Sequence, residues 1–417
     1  MMNKPRLHEF KNGLKAVLVP CEAESVAFGL FIASGSRHET EKTAGISHFI
    51  EHMLFKGTPS RKPVDITRAI EGRGGNFNAC TGEESTCYYA HMPYEYLNEA
   101  MDIIFDMYLN ATIPDEEFER EKQVVLEEIK MYSDEPDAVA LENLQSVLFP
   151  NNRLGASVAG SAKSLIPLKP NDLRRYIATH YAPSRTVAVV VGRFDEEKAL
   201  GEISRNIAKC RHKATGFGNV KGVDFSIDPT REISVYKDIQ QTQIALGYRT
   251  FGINDKRKYA ASVLDSIMGK GMSSRLFQEV REKRGLSYDI SSRMQFFTDA
   301  GMFTITAGID PKKESLVIKT IDKEIDKIRS KKVSSAELKR IKEFMLGNFR
   351  LSHERVVSKL FFYGSTLLSY GRLMTTEEQV ESVKAVTASD VLEVAEAIFD
   401  PANRAYSRVV PRKDILG

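Results

Sequence analysis

The chain contains no tryptophan, only four cysteines and no long apolar segment. None of the cysteines forms a C-x-x-C pair, so neither a disulfide-rich scaffold nor a cysteine metal site is expected. Cys80 and Cys87 could approach each other, but reduced thiols are the expected state. No apolar run approaches the roughly 18 residues of a membrane span, and the amino terminus lacks the apolar stretch of a secretion signal. We therefore expect a cytoplasmic protein with no membrane partner.

Neither sign of charge dominates the sequence. The formal net charge is +3, from 59 Lys and Arg against 56 Asp and Glu. A balance this close indicates neither a nucleic-acid partner nor attraction to an anionic membrane surface. At 417 residues, of which 42% are hydrophobic, the chain is long enough for two or three domains with their own cores.

Histidine is also scarce, yet two of the eight histidines lie in one short motif, His48-Phe-Ile-Glu51-His52. On a helix, which turns about 100° per residue, these three polar side chains share one face. Apolar residues recur on the opposite face at the spacing of a buried stripe. They are Ile46, Phe49, Ile50, Met53 and Leu54. The segment therefore predicts a helix that packs one face into a core and presents two imidazoles and a carboxylate on the other.

The order H-x-x-E-H is the reverse of the commoner H-E-x-x-H zinc motif and is the inverzincin signature. Two histidines four positions apart can bind one metal ion, and a carboxylate just before the second can hold a water molecule. The alternative is a polar helix face with two solvated histidines. A third protein ligand would favour the metal site, because a catalytic zinc site needs three.

A second predicted helix, at 114–132, offers candidates for that third ligand. Its first turn is acidic, with Asp115 as the N-cap. Glu121 and Glu128 are seven positions apart and therefore project from nearly the same side, which also carries apolar residues. Carboxylates on such a face are costly to bury unless they are paired or bound to a metal. The alternative is a solvated helix with charge pairs along its surface; for these two glutamates we favour the metal site.

Together these motifs resemble the pitrilysin-type zinc metallopeptidases. Within that group the likeness is closest to the processing-peptidase branch, which includes the β subunit of the mitochondrial processing peptidase and its bacterial relatives. The resemblance covers most of the chain. Residues 76–89 are similar to the family's N-A-x-T-x-x-E-x-T-x-Y-Y strand, and residues 271–288 carry its second-half motif.

The resemblance implies a role for each matching position. His48, His52 and Glu128 would bind one zinc ion per chain, and Glu51 would be the general base. Glu121 would support the site. Zinc is the expected metal, although this ligand set does not exclude manganese or cobalt.

The resemblance also implies how substrate is bound. Arg281 and Tyr288 match the family's pair that holds and polarises substrate. The strand containing Asn78, Ala79 and Thr81 is expected to contact the substrate, by β-augmentation if it lies at a sheet edge. An ordinary interior strand is the alternative.

The chain divides into two halves of similar layout. Residues 1–212 are expected to form the zinc-binding catalytic domain, and residues 213–223, charged and glycine-bearing, a linker. Residues 224–417 are expected to form a second, homologous domain that lacks a metal site but carries the Arg/Tyr pair. The predicted fold class is α+β, with each domain a sheet covered by helices; the resemblance implies that both form half of a clam-like shell.

An alignment of the two halves supports this duplication. Residues 48–57 align without gaps with residues 262–271, and the metal-binding positions become Ser262, Asp265 and Ser266. Self-similarity at this long period predicts a gene duplication in which one site was lost. The alternative is that two amphipathic helices merely look alike.

The predicted function is that of a zinc metalloendopeptidase acting on peptides or unfolded, presequence-like segments. A homodimer is expected, in which the Arg/Tyr pair of one subunit completes the site of the other. A heterodimer with a related subunit is the second possibility. The alternative function is that of a non-catalytic or partner-dependent subunit of a processing-peptidase-like assembly.

Overall fold

The computed structural model describes residues 4–214, 220–226 and 231–412. In these residues the chain forms strands and helices in alternating blocks, with short 3-10 turns between them. The strands are β1 (Arg6–Glu9), β2 (Lys15–Pro20), β3 (Ser25–Ile32), β4 (Asn76–Thr81), β5 (Thr86–Pro93), β6 (Thr186–Gly192), β7 (Glu232–Lys237), β8 (Thr242–Phe251), β9 (Ser287–Phe296), β10 (Ala300–Ile309) and β11 (Arg404–Pro411).

The helices are numbered in the same way along the chain. They are α1 (Ile46–Leu54), α2 (Pro63–Glu71), α3 (Leu97–Asn110), α4 (Asp115–Asp134), α5 (Pro136–Leu148), α6 (Ala162–Leu165), α7 (Pro170–His180), α8 (Glu196–Ile207), α9 (Lys258–Gly269), α10 (Glu314–Ser330), α11 (Ser335–Ser352), α12 (Val356–Tyr370), α13 (Thr376–Ala385) and α14 (Ala388–Ile398). None of them combines the length and apolar character needed to cross a membrane.

The first sheet has six strands in the order β1-β2-β6-β3-β5-β4. Strands β2 and β6 are parallel, and all other neighbours are antiparallel. One face is buried by a core to which α1, α3, α4, α7 and α8 contribute. The other face packs against α12 through a smaller core. Strand β4 lies at one edge of this sheet, as the β-augmentation hypothesis requires.

The second sheet has five strands in the order β7-β11-β8-β10-β9. Its one parallel pair is β7 and β11. Helices α9, α10, α13 and α14 bury one face, and α5 buries the other. Strands β7 to β11 thus repeat the order and directions of β2 to β6, with β9 at the edge where the first sheet has β4. The predicted α+β class with two sheet-containing domains is confirmed, and the shared topology agrees with an internal duplication.

The two compact units of the chain are not contiguous in sequence. The first contains the described residues of Met1–Ile129, Ala156–Val220 and Arg350–Thr375, and the second those of Lys130–Gly155, Lys221–Phe349 and Thr376–Gly417. The predicted linker at 213–223 lies in the sequence between β6 of the first sheet and β7 of the second. Residues 215–219 lie outside the described part of the chain. Helices α5 and α12 each pack on the sheet of the other half. The apolar face of each helix explains this arrangement. Leu144 of α5 is fully buried against the second sheet, and Leu360 of α12 is fully buried against the first.

Candidate metal centre

Helix α1 carries the H-x-x-E-H motif and packs as the sequence predicts. Each of the five residues of its apolar stripe is at most 1% exposed. The ring of Phe49 lies 4.8 Å from that of Phe118 in α4, centroid to centroid. This contact within the core fixes α1 beside α4, the helix that carries the two candidate glutamates.

The start of α1 is held by a buried carboxylate, that of Glu39. Its two oxygens accept hydrogen bonds from the backbone N–H groups of Gly45 and Ser47, both at 2.8 Å. An anion at a helix N-terminus is favoured by the unpaired N–H groups and the helix dipole there. Gly45 has φ of 89°, and a side chain at this position would clash with the Ala159 carbonyl, so the turn into the helix requires glycine.

The three predicted metal ligands converge. Glu128 Oε1 lies 3.7 Å from His48 Nε2, and Glu128 Oε2 lies 3.3 Å from His52 Nε2. The imidazole rings are 4.7 Å apart, centroid to centroid. One ligand atom from each residue falls within 4.8 Å of the other two, and these residues form the one such cluster found in the described part of the chain.

The surroundings of these ligands fit a zinc ion. His52 Nδ1 lies 2.9 Å from Glu121 Oε1, and a proton placed on Nδ1 by this hydrogen bond leaves the Nε2 lone pair free toward Glu128. His48 Nδ1 is buried and has no hydrogen-bond partner among the residues that the structure describes. Two imidazole nitrogens and a carboxylate oxygen, all half-buried, are a ligand set that zinc prefers, and they leave a fourth position open.

The titratable groups of the cluster influence one another strongly. Burial lowers the pKa of His48, and the neighbouring His52 lowers it further. Burial also tends to lower the pKa of His52, but the hydrogen bond with Glu121 and the charges of Glu128, Glu121 and Glu51 outweigh it, so that the His52 pKa is raised. Without a metal, His52 is therefore the imidazole that holds a proton more readily, because three carboxylates face it.

Lys56 is a member of the site that the sequence analysis did not identify. Its Nζ lies 2.6 Å from Glu121 Oε2, while Glu121 Oε1 faces His52. Burial would raise the pKa of Glu121, but its hydrogen bonds with His52 and Lys56 outweigh this, and the pKa is lowered. Glu121 is thus kept ionised and holds His52 in orientation. Lys56 follows His52 by four positions, just beyond the end of α1, a spacing that could have indicated its role.

Glu51 contacts the edge strand. Its Oε2 accepts a hydrogen bond of 2.5 Å from the Thr81 hydroxyl in β4. Burial raises the pKa of Glu51, and the hydrogen bond from Thr81 opposes that rise only in part. Thr81 was expected to contact substrate; the structure shows that its side chain supports the candidate base.

Among the described residues, no further strand pairs with the outer side of β4. Gly82 N donates to Ser85 O at 2.8 Å, so these two residues are a hydrogen-bonded pair. Because hydrogen-bonded and non-hydrogen-bonded pairs alternate in an antiparallel ladder, Cys80 and Cys87, two residues further along, are also a hydrogen-bonded pair. The backbone groups of Ala79 and Thr81 therefore point away from β5, toward the free edge. The N–H of Ala79 is occupied by the side-chain oxygen of Asn78, at 2.8 Å.

The remaining predicted residues, Arg281 and Tyr288, lie together in the second unit. The Arg281 guanidinium carbon is 4.8 Å from the centre of the Tyr288 ring, which is 79% exposed. Arg281 sits in a π-helical turn, Phe277–Glu282, and Tyr288 is the second residue of β9. They form a cation–π pair at the start of the strand that corresponds to β4.

In the second unit, α9 and β9 correspond to α1 and β4, but serines stand in place of the two histidines. Ser262 and Ser266 donate to backbone carbonyls of their own helix, each at 3.0 Å. Asp265, in the place of Glu51, accepts from Ser292 Oγ in β9 at 2.5 Å, much as Glu51 accepts from Thr81. Lys270 Nζ lies 3.5 Å from the other Asp265 oxygen. The interaction between helix acid and strand hydroxyl thus persists where the histidines are absent.

Comparisons with known proteins place both halves in one family. Residues 17–162 match the sequence profile described as Insulinase (Peptidase family M16), and residues 167–345 match that of the Peptidase M16 inactive domain. The uncharacterized zinc protease YmxG of Bacillus subtilis is 34% identical over 93% of this chain and 94% of its own length. An uncharacterized zinc protease of Rickettsia felis is 32% identical, over 99% of this chain and 98% of its own.

Solved structures show the same fold. A protease from Helicobacter pylori superposes with a TM-score of 0.93 at 22% identity, over 99% of this chain and 100% of that chain. A peptidase M16 inactive domain from Pseudomonas fluorescens gives a TM-score of 0.91 at 18% identity, over 98% of both chains.

The role of Glu39 can be tested by Glu39→Gln, which replaces one acceptor oxygen with an NH2 group facing a backbone N–H. We expect the free energy of unfolding to fall by about 1–3 kcal/mol, the cost of an unsatisfied buried group. Zinc affinity should fall with it, because α1 presents both histidines. Denaturant unfolding and zinc titration measure the two effects. Glu41→Gln, at an exposed neighbouring position, is the control and should change neither; an equal effect in both variants would contradict the anchoring role.

Proposed function

The chain belongs to the M16 peptidase family, and from this premise we propose that it is a zinc metalloendopeptidase acting on extended peptides or unfolded, presequence-like segments. One observation carries the proposal: His48, His52 and Glu128 converge, and Glu51 lies on the same helix between the two histidines. A family member that had lost catalysis would have no need to keep all four groups.

His48, His52 and Glu128 would hold the zinc ion. Bound there, zinc would supply a Lewis acid that makes a water molecule nucleophilic near neutral pH and polarises the scissile carbonyl. Glu51 would accept the proton of that water, because the spacing of the motif puts its carboxylate on the same face of α1 as the two histidines. The same carboxyl group can then pass the proton to the leaving amine.

Glu121, Lys56 and Thr81 act by positioning. Glu121 holds the His52 ring through Nδ1, and Lys56 keeps Glu121 charged. The Thr81 hydroxyl holds one oxygen of Glu51 by a hydrogen bond, which leaves the other oxygen available to accept and donate a proton. A base held in one orientation needs less reorganisation in the transition state.

The open edge of β4 supports an extended substrate. A peptide that adds a strand there would pair with the outward backbone groups of Ala79 and Thr81, next to Glu51. Asn78 would have to release the Ala79 N–H as the peptide binds. Only a locally unfolded chain can pair in this way, which accounts for the proposed substrate class.

Two finer parts of the proposal concern the second unit and the assembly. We propose that Arg281 and Tyr288 hold substrate, because a half-buried guanidinium beside an exposed phenol is suited to polarise and orient a peptide carbonyl. We also propose a homodimer, with a heterodimer as the second candidate. The alternative function is that of a partner-dependent subunit.

The proposed function predicts that Glu51→Gln removes hydrolysis without removing zinc. With the zinc-loaded chain and a quenched unstructured peptide, kcat should fall by about 10²–10⁴-fold, the usual contribution of a general base, while KM changes little. Asp265→Asn is the matched control, because Asp265 makes the equivalent contact where no ligands are present, and its kcat should stay within about twofold.

Three results would contradict this account. A Glu51→Gln variant whose kcat is within tenfold of that of the wild type would show that Glu51 is not the base. If that variant lost its zinc, the fall in kcat would be due to loss of the metal and not to loss of the base. A zinc-loaded wild-type chain that cleaves no peptide as a homodimer, but does so when a related subunit is added, would favour the partner-dependent alternative.

Edge pairing predicts a period of two in the response to substrate N-methylation. Because alternate residues of a paired strand direct their N–H groups to the same neighbour, methylation at every second residue should raise KM, and methylation between them should not. Cleavage of a series of singly N-methylated peptides measures this pattern. Equal sensitivity at adjacent positions, away from the scissile bond, would contradict binding at β4.

A further inference from the structure

Cys80 and Cys87 lie directly opposite each other on β4 and β5. Both side chains project from the face of the sheet opposite to α1, since Thr81, the next residue, points to Glu51. They are a hydrogen-bonded pair in the antiparallel ladder, for which the Cα atoms are about 5.5 Å apart. Disulfides form at Cα separations of roughly 4.4–6.8 Å, so the Cα separation of this pair falls within the range that a disulfide allows.

The two thiols differ in a way that suits sequential oxidation. Cys80 is exposed at the sheet edge, whereas Cys87 is 3% exposed among the residues packed under α12. The hydrogen bond from the Cys87 thiol lowers the pKa of Cys80, and burial raises that of Cys87. An accessible thiol with more thiolate character is the one that an oxidant attacks first, with the buried thiol beside it to resolve the product.

We propose that Cys80 and Cys87 are a redox modification site, at which hydrogen peroxide produces a reversible disulfide that fastens β4 to β5. Peroxide converts the Cys80 thiol to a sulfenic acid and releases water. The Cys87 sulfur then attacks the Cys80 sulfur, a second water leaves, and the S–S bond forms. Two thiols are oxidised and one peroxide is reduced to two waters.

The disulfide would act on the metal centre through Thr81. Cβ atoms of opposite strand residues are about 4.5–5.5 Å apart, and a disulfide draws them to about 3.8 Å, so β4 must shift toward β5 at the residue before Thr81. This displaces the hydroxyl that holds Glu51 and the backbone edge on which substrate pairs. This consequence rests on the proposed function, and it predicts a fall in kcat/KM of about tenfold or more, because a displacement of about 1 Å is costly to catalysis.

The test begins with the reduced, zinc-loaded chain and a small molar excess of hydrogen peroxide. Remaining thiols are alkylated, and the disulfide is mapped by mass spectrometry of peptides. Of the four cysteines, two should lose alkylation together, with Cys80 joined to Cys87, and dithiothreitol should restore them. Peptidase activity is followed in the same samples and should fall and recover in parallel.

Variants separate the pair from the other thiols. Cys80→Ser, at an exposed position, should prevent disulfide formation and keep its activity in peroxide. A Cys21→Ser, Cys210→Ser double variant should still form the bond and lose activity. Cys87→Ser should leave Cys80 at the sulfenic acid or beyond, with no disulfide.

The outcomes distinguish this proposal from the proposed function. Oxidation of Cys80 without a bond to Cys87, or pairing with another cysteine, would overturn the site. A Cys80–Cys87 bond with unchanged activity would overturn its link to Glu51. If the reduced chain has no peptidase activity, the proposed function fails, but the peptide map still decides whether the disulfide forms.

Discussion

The site depends on one packing interaction, the contact of α1 with α4 inside the first core. The Phe49–Phe118 contact sets the two helices side by side, and as a result the Glu128 carboxylate lies against two imidazoles. Buried or half-buried carboxylates near one another are unfavourable unless a cation or hydrogen bonds offset their charge. Lys56 and His52 do this for Glu121, whereas the Glu128 carboxylate lies against the two imidazoles. A metal ion would complete that balance.

The second unit shows what the same fold does without this arrangement. The seventh residue of α4 is Glu121, and the seventh of α11 is Ile341, which is buried in the second core. Lys270, which corresponds to Lys56, faces Asp265 instead. Exchange of a few polar side chains thus separates a candidate metal centre from an ordinary core, while the sheet order is kept. Function belongs to the site and not to the fold.

Sequence reasoning succeeded where local spacing decides the outcome. The buried stripe of α1 follows from helical geometry and is buried in the structure. Helical spacing also puts Glu128 on the same side of α4 as Glu121, and in the structure its carboxylate lies near both imidazoles. Features set by tertiary packing could not be predicted in this way. Glu39 lies in a loop that has no periodic pattern, although its carboxylate binds the start of α1. The packing of α5 on the second sheet and of α12 on the first depends on tertiary contacts between apolar faces. The edge position of β4 depends on strand order, which spacing does not contain.

The most direct test of the account is the metal content of the purified chain after zinc is supplied and excess is removed. The wild type should hold about one zinc per chain, and Glu128→Gln should hold less than about a tenth of that, because a three-ligand site loses its only anionic ligand. Glu127→Gln, at the exposed neighbouring position, should bind zinc as the wild type does. A wild-type chain that binds no zinc, or a Glu128→Gln chain that binds it fully, would contradict the central claim that α1 and α4 together form a metal centre.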